Sequence, residues 1–392
     1  MKTNNKISAR NTGLHLAVIG GGPGGLHAAI AAARQGMKVT LFEKRELGEH
    51  IICGECIFDS LDLLPPPGAG LLYEVEAVLL SARGSYRLPI GRYRRLYMMD
   101  RRVWQRQLAA TAADLGVSVL AGAKINIAGL RELRDRFDWI IDASGAPSIT
   151  SRAYGFTGEY LRNPLLAYQY FVEGDFSALF LSRTIKVVFP PHVERDYLPG
   201  YYWLFPKNEH QANFGVVFTH GRAGKFPLRL KELLHEIAGR ESLSLESVRH
   251  RGGGLIPTRI LDRLVHERIV LVGDAAGLPS PLHGGGIDLA CISGTLAAAA
   301  ISKGATGVAA YRRDLLRLLQ HKLAVEKILI AKMKTLSCAA FDDLIHAAAV
   351  RSAGIRTRVG LRHPGLLAAA WRWLQKRPAG DCLRACGPLL RE

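Results

Sequence analysis

The stretch Ala17-Val18-Ile19-Gly20-Gly21-Gly22-Pro23-Gly24-Gly25 decides how this chain begins to fold. Gly20, Gly22 and Gly25 satisfy the spacing G-x-G-x-x-G. They stand between an apolar segment, Leu14 to Ile19, that reads as a strand and an Ala-rich segment, Gly25 to Arg34, that reads as a helix. Gly20 permits the tight turn, Gly22 lets backbone approach a pyrophosphate, and Gly25 lets helix and strand pack closely. The first-turn N–H groups then face phosphate oxygens with the positive end of the helix dipole behind them. A second apolar strand, Val39 to Phe42, ends at Glu43. An acid that holds a ribose belongs roughly 20 residues beyond the glycines. A glycine-rich turn alone is often only a turn; strand, turn, helix, strand and terminal acid in register predict a dinucleotide site.

The remaining chain suits an enzyme with some attraction to a charged surface. Its 392 residues, 48% hydrophobic, can bury a core and divide into two or three units. The six cysteines are scattered apart from Cys53/Cys56 and Cys382/Cys386, too dispersed for a disulfide framework. Met1 to Gly13 is polar and reads as neither signal peptide nor anchor. Gly286 to Ser302 is apolar but rich in Ala and Gly and interrupted by Asp288, which suits a buried helix, not a span of about 20 lipid-facing residues. A cytoplasmic protein is expected. The net charge is +18, and Tyr311 to Glu392 holds 16 Lys and Arg against 6 Asp and Glu. Leu315, Leu316, Leu319, Leu323 and later Trp371, Trp373 and Leu374 give that region helical spacing. Such a region fits the cytoplasmic face of an anionic membrane, a docking face for a protein electron donor, or a solvated helix packed on the main body. No zinc pattern or nucleic-acid-binding motif is visible, so nucleic acid is not an expected partner and no metal site is expected.

Along the chain, Val103 to Leu115 reads as helix and Val117 to Ala121 as a short strand, and a further strand ends in Asp142-Ala143-Ser144-Gly145. Between Leu166 and Phe218 the pattern changes to aromatic-rich strands separated by Pro, Gly and charged turns, as in an antiparallel sheet. After a helix from Leu228 to Arg240 comes the strand Arg268 to Val272, then Gly273-Asp274 and, further on, His283-Gly284-Gly285-Gly286-Ile287. An acid at the end of such a strand can hydrogen-bond a ribityl hydroxyl, and a glycine-led helix start can stabilise negative charge on a flavin ring. An ordinary strand-to-helix turn would look the same in isolation. The expected division is a discontinuous nucleotide-binding domain (1–165 and 251–305), an inserted antiparallel-sheet substrate domain (166–250) and a helical basic C-terminal region (306–392).

Glu43, Asp142-Ala143-Ser144-Gly145 and Gly273-Asp274 together resemble the three nucleotide-binding signatures of the flavin monooxygenase-like superfamily that includes hydroxybenzoate hydroxylase. Cys53-Gly54-Glu55 and Tyr201-Tyr202-Trp203-Leu204-Phe205-Pro206, similar to Y-x-W-x-F-P, narrow the resemblance to the geranylgeranyl reductase family over about Leu14 to Ala300. The resemblance implies an α/β fold with a Rossmann-like FAD-binding domain and an enzyme that uses FAD to saturate double bonds of isoprenoid chains. Archaeal lipid precursors, the chlorophyll tail and the menaquinone side chain are the family's kinds of substrate. It further implies that Gly20, Gly22, Gly25 and Glu43, with Lys44 beside it, hold the ADP half, and that Gly54 brings backbone to the flavin. Arg101 matches the arginine of R-x-x-F-D-x-x-L, although Trp104 and Gln105 stand where Phe and Asp are usual; it could instead cap a solvated basic helix. Gly273, Asp274, Gly286 and Ile287 match the late flavin contacts.

Cys53, Tyr201 and Trp203 are the residues expected at the reaction centre. Hydride addition to one alkene carbon requires a proton for the other, and a thiol beside the flavin can supply it or hold a water that does. Cys53 could equally be a small buried hydrophobe, and Cys53-x-x-Cys56 could be a redox dithiol. Tyr201, Trp203 and Phe205 alternate along a strand and would wall an apolar slot, or simply fill the sheet core. No second G-x-G-x-x-G follows a strand, so electrons would come from transiently docked NAD(P)H, a reduced ferredoxin or a quinol. Two other readings stand beside the reductase. One is a flavin monooxygenase or halogenase, from whose W-x-W-x-I-P this chain departs at Tyr201 and Phe205; the other is a redox or assembly flavoprotein without small-molecule turnover.

Overall fold

Apolar strands flanking a glycine turn can bury both faces only inside a parallel sheet covered by helices. The computed structural model, which describes residues 13–90, 95–189, 200–219, 226–245, 250–333 and 336–349, has that arrangement at its start. Strand β1 (His15–Ile19) leads into α1 (Pro23–Arg34), with Pro23 in the first turn, where its missing N–H costs nothing. β2 (Lys38–Phe42) returns parallel to β1, His15 opposite Lys38 and Ile19 opposite Phe42. The chain then leaves this sheet for β3 (Cys56–Asp59), β4 (Leu71–Glu74), the hairpin of β5 (Ala77–Ser81) and β6 (Ser85–Pro89), and β7 (Arg95–Met99). Helix α2 (Arg101–Asp114) starts where the Asp100 carboxylate accepts the N–H groups of Arg102 and Val103 at 2.9 and 3.1 Å. β8 (Ser118–Leu120), α3 (Ile127–Arg136), β9 (Trp139–Asp142) and α4 (Ile149–Tyr154) complete the first half.

β10 (Leu165–Glu173), α5 (Ser177–Leu181), β11 (Thr184–Val188), β12 (Gly200–Pro206), β13 (Gln211–Thr219), α6 (Phe226–Arg240) and β14 (His250–Ile256) follow. The chain returns to the first sheet through β15 (Val265–His266) and β16 (Ile269–Leu271) and ends, among the described residues, in α7 (Ile287–Ser302), α8 (Gly304–Met333) and α9 (Cys338–Ala349).

The parallel sheet runs β15-β16-β9-β1-β2-β8, with only the β15–β16 pair antiparallel. A second sheet runs β14-β10-β13-β12-β11-β5-β6, and a small third sheet is β3-β7-β4. The second sheet is wider than the segment 166–250 expected from sequence. β5 and β6 extend one edge, β5 lying parallel to β11, and β14 forms the other edge beside β10. Three consecutive glycines in β14 hide the alternation by which a strand is recognised. The recruitment of β5 is a long-range pairing that no local pattern reports.

α7 lies against α1, and its small residues make that approach possible. A Cβ on Gly294 would overlap the carbonyl of Gly24. α8 continues the core: Tyr311 is buried and its hydroxyl donates to the Leu271 carbonyl at 3.1 Å. Among the described residues no helix is long and apolar enough to cross a membrane. Trp371, Trp373 and Leu374, read as helical, lie outside the described residues, as do Cys382 and Cys386.

The α1–α2 contact makes stability pH-dependent. The His27 ring packs 5.9 Å from Trp104, its Nδ1 is 2.9 Å from the Pro23 carbonyl, and burial lowers its pKa from 6.5 to about 4. The unfolded chain then binds a proton that the folded one refuses. The stabilisation from keeping this ring neutral is complete above 6.5 and is lost as pH falls towards 4. His27→Gln is expected to lose less thermal stability than the parent between neutrality and about pH 4.5 in calorimetry; equal losses would place the proton uptake elsewhere.

Candidate active site

Gly20 has φ +108°, its N–H donates to the Phe42 carbonyl at 2.8 Å, and a Cβ there would strike the Ala143 carbonyl. A Cβ on Gly25 would overlap the Gly20 carbonyl, so helix, turn and strand close up only with glycine at both places. Glu43 sits against this turn, Oε2 accepting the Gly21 N–H at 2.6 Å and Oε1 that of Arg45 at 3.1 Å. Asp142 has a different job from Glu43. Its fully buried carboxylate accepts from Ser144 N and Oγ (3.0 and 2.6 Å) and from Thr150 N and Oγ1 (2.9 and 2.5 Å). It shapes the loop behind the site and has little capacity left for a ligand.

A cavity of about 910 Å³ opens from the glycine turn and is lined by Gly20, Gly22, Glu43, Lys44, Arg101 and Asp274 at this end. Gly54, Gly273, Gly286 and Ile287 line it as well. Arg101 is not part of a solvated helix face. Its N–H donates to Glu55 Oε1 at 2.9 Å and its Nη2 to Gln105 Oε1 at 2.6 Å, and Gln105 reaches the Gly21 carbonyl at 3.3 Å. The unusual Gln105 therefore links Arg101 to the glycine turn, while Trp104 is buried against His27.

Three features of this cavity fit FAD. The buried Arg101 Nε has no hydrogen-bond partner. The Asp274 carboxyl lines the cavity, and its pKa is raised by burial against the opposing pull of Arg101. Gly22 and Gly145 leave empty the space a Cβ would fill. Orphaned buried polar groups in a cavity call for a polar ligand, and a dinucleotide with phosphates and a ribityl chain is one. Gly286 caps α7 and Ile287 opens it, so that the positive end of a sixteen-residue helix faces the inner part of the cavity.

The Cys53-Gly54-Glu55 turn and the Tyr201–Pro206 strand meet in space. A Cβ on Gly54 would lie 3.2 Å from the Phe205 ring and 3.4 Å from the Trp203 indole nitrogen. That nitrogen donates to Asn213 Oδ1 at 2.7 Å, and Asn213 Nδ2 donates to the Cys53 carbonyl at 2.9 Å. Glu55 has φ +58° and is buried; its Oε2 accepts from the Lys207 ammonium at 2.6 Å, and its N–H donates to Cys53 Sγ at 3.3 Å. Tyr201 donates its hydroxyl to the His283 carbonyl at 2.7 Å, and burial raises its pKa, so its polar end is occupied in holding the 283–286 loop. Cys53 and Cys56 are free thiols, and burial, with Cys53 adding to it, pushes Cys56 up to about 12.

Sequence reasoning passed over Glu55 as a connecting charge, Lys207, Asn213, Gln169 and His283. Lys207 follows Pro206 directly, and Gln169 is a lone polar side chain between Tyr168 and Tyr170, both visible cues in retrospect. Gln169 is 3% exposed, lines the cavity, and its Nε2 has no partner. His283 accepts the Gly285 N–H at Nδ1 (3.1 Å) and meets Phe58 edge-on at 5.3 Å. Burial, aided by the Lys322 ammonium, lowers its pKa to about 3. Among the described residues no group of His, Cys, Asp and Glu is arranged to hold a metal ion.

Residues 15–48 match the family described as FAD dependent oxidoreductase. Digeranylgeranylglycerophospholipid reductase 1 of Methanopyrus kandleri is 31% identical over 309 residues, covering 71% of this chain and 78% of that protein. The chain belongs to this reductase family. It is an FAD-dependent oxidoreductase of the geranylgeranyl reductase type. The crystal structure of a geranylgeranyl bacteriochlorophyll reductase-like protein from Thermoplasma acidophilum superimposes with a TM-score of 0.70 at 21% identity, covering 92% of this chain and 99% of that one. CmlS, a flavin-dependent halogenase, matches with a TM-score of 0.64 at 16% identity over 91% of this chain and 72% of its own, a likeness of fold.

Two outcomes check the geometry of this family member. Lys207→Met leaves the Glu55 charge buried without its ammonium and is expected to cost about 3 kcal/mol in urea denaturation. Adding Glu55→Gln should recover part of the loss; no destabilisation by the single change would mean the pair is not desolvated. Iodoacetamide at mildly alkaline pH is expected to leave Cys56 unmodified in the native protein, as peptide mass mapping would show. Rapid labelling there would contradict a thiol that its surroundings keep protonated.

Proposed function

We propose that this protein saturates carbon–carbon double bonds in the prenyl chain of a geranylgeranyl-type lipid or prenylated quinone by hydride transfer from reduced FAD. One observation carries the reading: a single cavity is lined both by the glycine turn and Cys53 and by an apolar arm of Val78, Leu80, Ile185, Val187 and Phe189, the first four paired across β5 and β11. A polar head end and a long oily arm suit a dinucleotide meeting an isoprenoid chain.

The N-terminus of α1 would hold the pyrophosphate, with Gly20, Gly22 and Gly25 keeping side chains out of its way and Glu43 beside the ribose. Lys44 flanks the same end. Arg101, with its uncommitted Nε, and Asp274 would take the polar groups between the phosphates and the ring. Gly54 and Gly273 would admit the ring, and Gly286 and Ile287 would set the positive end of α7 against it. Bound FAD supplies the hydride to one alkene carbon.

Cys53 is the proton source for the other carbon. The Glu55 N–H on its sulfur stabilises the charge left when the proton departs. Asn213 fixes the Cys53 carbonyl and with it the direction of the thiol. Tyr201 and Trp203 have their polar atoms engaged elsewhere, so their rings wall the chain and exclude water from the reacting carbons. Electrons come from NAD(P)H or a reduced ferredoxin, with the basic C-terminal region as the docking face for the latter or for an anionic membrane. Ferredoxin-driven turnover would fall steeply with salt.

Reaction of the reduced protein with a geranylgeranyl lipid without oxygen is expected to add two hydrogens per double bond, read by mass spectrometry. Oxygen insertion or halogenation, appearing only when air is admitted, would contradict the proposal. Glu43→Ala is expected to purify with little flavin. Cys53→Ser is expected to keep its flavin and lose at least about a hundredfold in kcat; undiminished turnover would return Cys53 to a packing role.

A further inference from the structure

A file of aromatic rings leads from the reaction turn to the C-terminal helices. Trp203 stands over Gly54; Tyr201 is 6.2 Å beyond Trp203, Phe189 is 5.8 Å beyond Tyr201, and Phe341 of α9 is 4.7 Å from Phe189. There the cavity is lined by Phe341, Leu344, Ile345 and Ala348 of α9 with Leu329 and Met333 of α8. The four α9 residues follow i, i+3, i+4, i+7, one continuous helix face.

An adjacent face of α9 is fastened to the β5–β6 hairpin. Asp342 Oδ1 accepts the N–H groups of Arg83 and Gly84 at 2.9 and 2.7 Å, and its Oδ2 accepts the Tyr86 hydroxyl at 2.8 Å. One turn on, the His346 ring stacks on Tyr86 with centroids 4.7 Å apart and planes inclined by 18°. The helix start is fixed too, since Ser337 Oγ accepts the Ala340 N–H at 3.2 Å. Three donors on one carboxylate, two of them backbone groups of a tight hairpin, define where the apolar face stands.

We infer that α9 is the gauge of chain length. Its apolar face meets the part of the prenyl chain beyond the double bond being reduced, and Asp342 is the positioning residue that sets its distance from Cys53. This rests on the prenyl reading above and adds to it the residues that limit the chain. Each methylene buried along the arm strengthens binding by up to about fourfold. The gain stops where the chain reaches α9, because further methylenes must displace packed side chains.

The test uses FAD-loaded, oxidised protein titrated calorimetrically with saturated isoprenoid monophosphates of increasing length. These probes cannot be reduced, so they report binding alone. In the parent protein affinity is expected to rise with length to a limit and then level off. Leu344→Ala should move that limit to longer chains and Ala348→Phe to shorter ones. Asp342→Ala should blur the limit and weaken the longest chain that fits by about tenfold. Flavin content checks folding in each variant, and the opposite shifts of two variants exclude a general loss of structure as their cause. An identical limit in both Leu344→Ala and Ala348→Phe, with flavin retained, overturns the inference. Failure of every chain to bind the parent protein would instead overturn the prenyl reading itself.

Discussion

The Glu55 carboxylate is the contact on which the site depends. One oxygen accepts the first N–H of α2 and the other the ammonium of Lys207, just after β12, with the Glu55 side chain 5% and that of Lys207 13% exposed. Such a group joins the nucleotide-binding half to the sheet half because neither charge can be left alone in the interior. The same residue adopts a left-handed conformation, which turns the chain so that its N–H points back at the Cys53 sulfur. With Asn213 holding the Cys53 carbonyl, the thiol is oriented by three separate parts of the fold. Its position is a property of the assembled protein, not of the local tripeptide.

The two ends of the cavity differ in kind, and that contrast selects the ligands. Helix starts, the Asp274 carboxyl and the Arg101 Nε, which has no partner among the described residues, concentrate polarity at one end. The sheet face beyond Trp203 offers little besides hydrocarbon. A small polar substrate would gain nothing from the second region and a free hydrocarbon nothing from the first. Halogenases share the fold, and fold alone does not assign chemistry. In the proposed function, the residues that separate a reductase from a halogenase are those of the Cys53 turn and the strand opposite it.

Much of the nucleotide half was legible in the sequence because its signals are local. The turn at Gly20 to Gly25 and the helix after it lie within one window, as does the strand that ends in Asp142. The strand before Asp274 was equally plain. The rest depends on pairings that no window contains. Glu55 and Lys207 are 152 positions apart, and β5 reaches the sheet only by lying parallel to β11. Asp342 gives no sign in the sequence that it will secure a hairpin more than 250 positions earlier. The region beyond residue 305 was read as basic and helical, but nothing in it signalled that apolar residues of α8 and α9 form part of the cavity wall.

The central claim is that reduced flavin in this site passes its electrons to an isoprenoid double bond. The most direct measurement is an anaerobic single turnover: photoreduced, FAD-loaded protein is mixed with a geranylgeranyl lipid and the return of oxidised-flavin absorbance is followed. The account expects the lipid alone to reoxidise the flavin, in proportion to the lipid added, while its fully saturated counterpart does not. Flavin that stays reduced until oxygen is admitted, with the lipid unchanged, would contradict it.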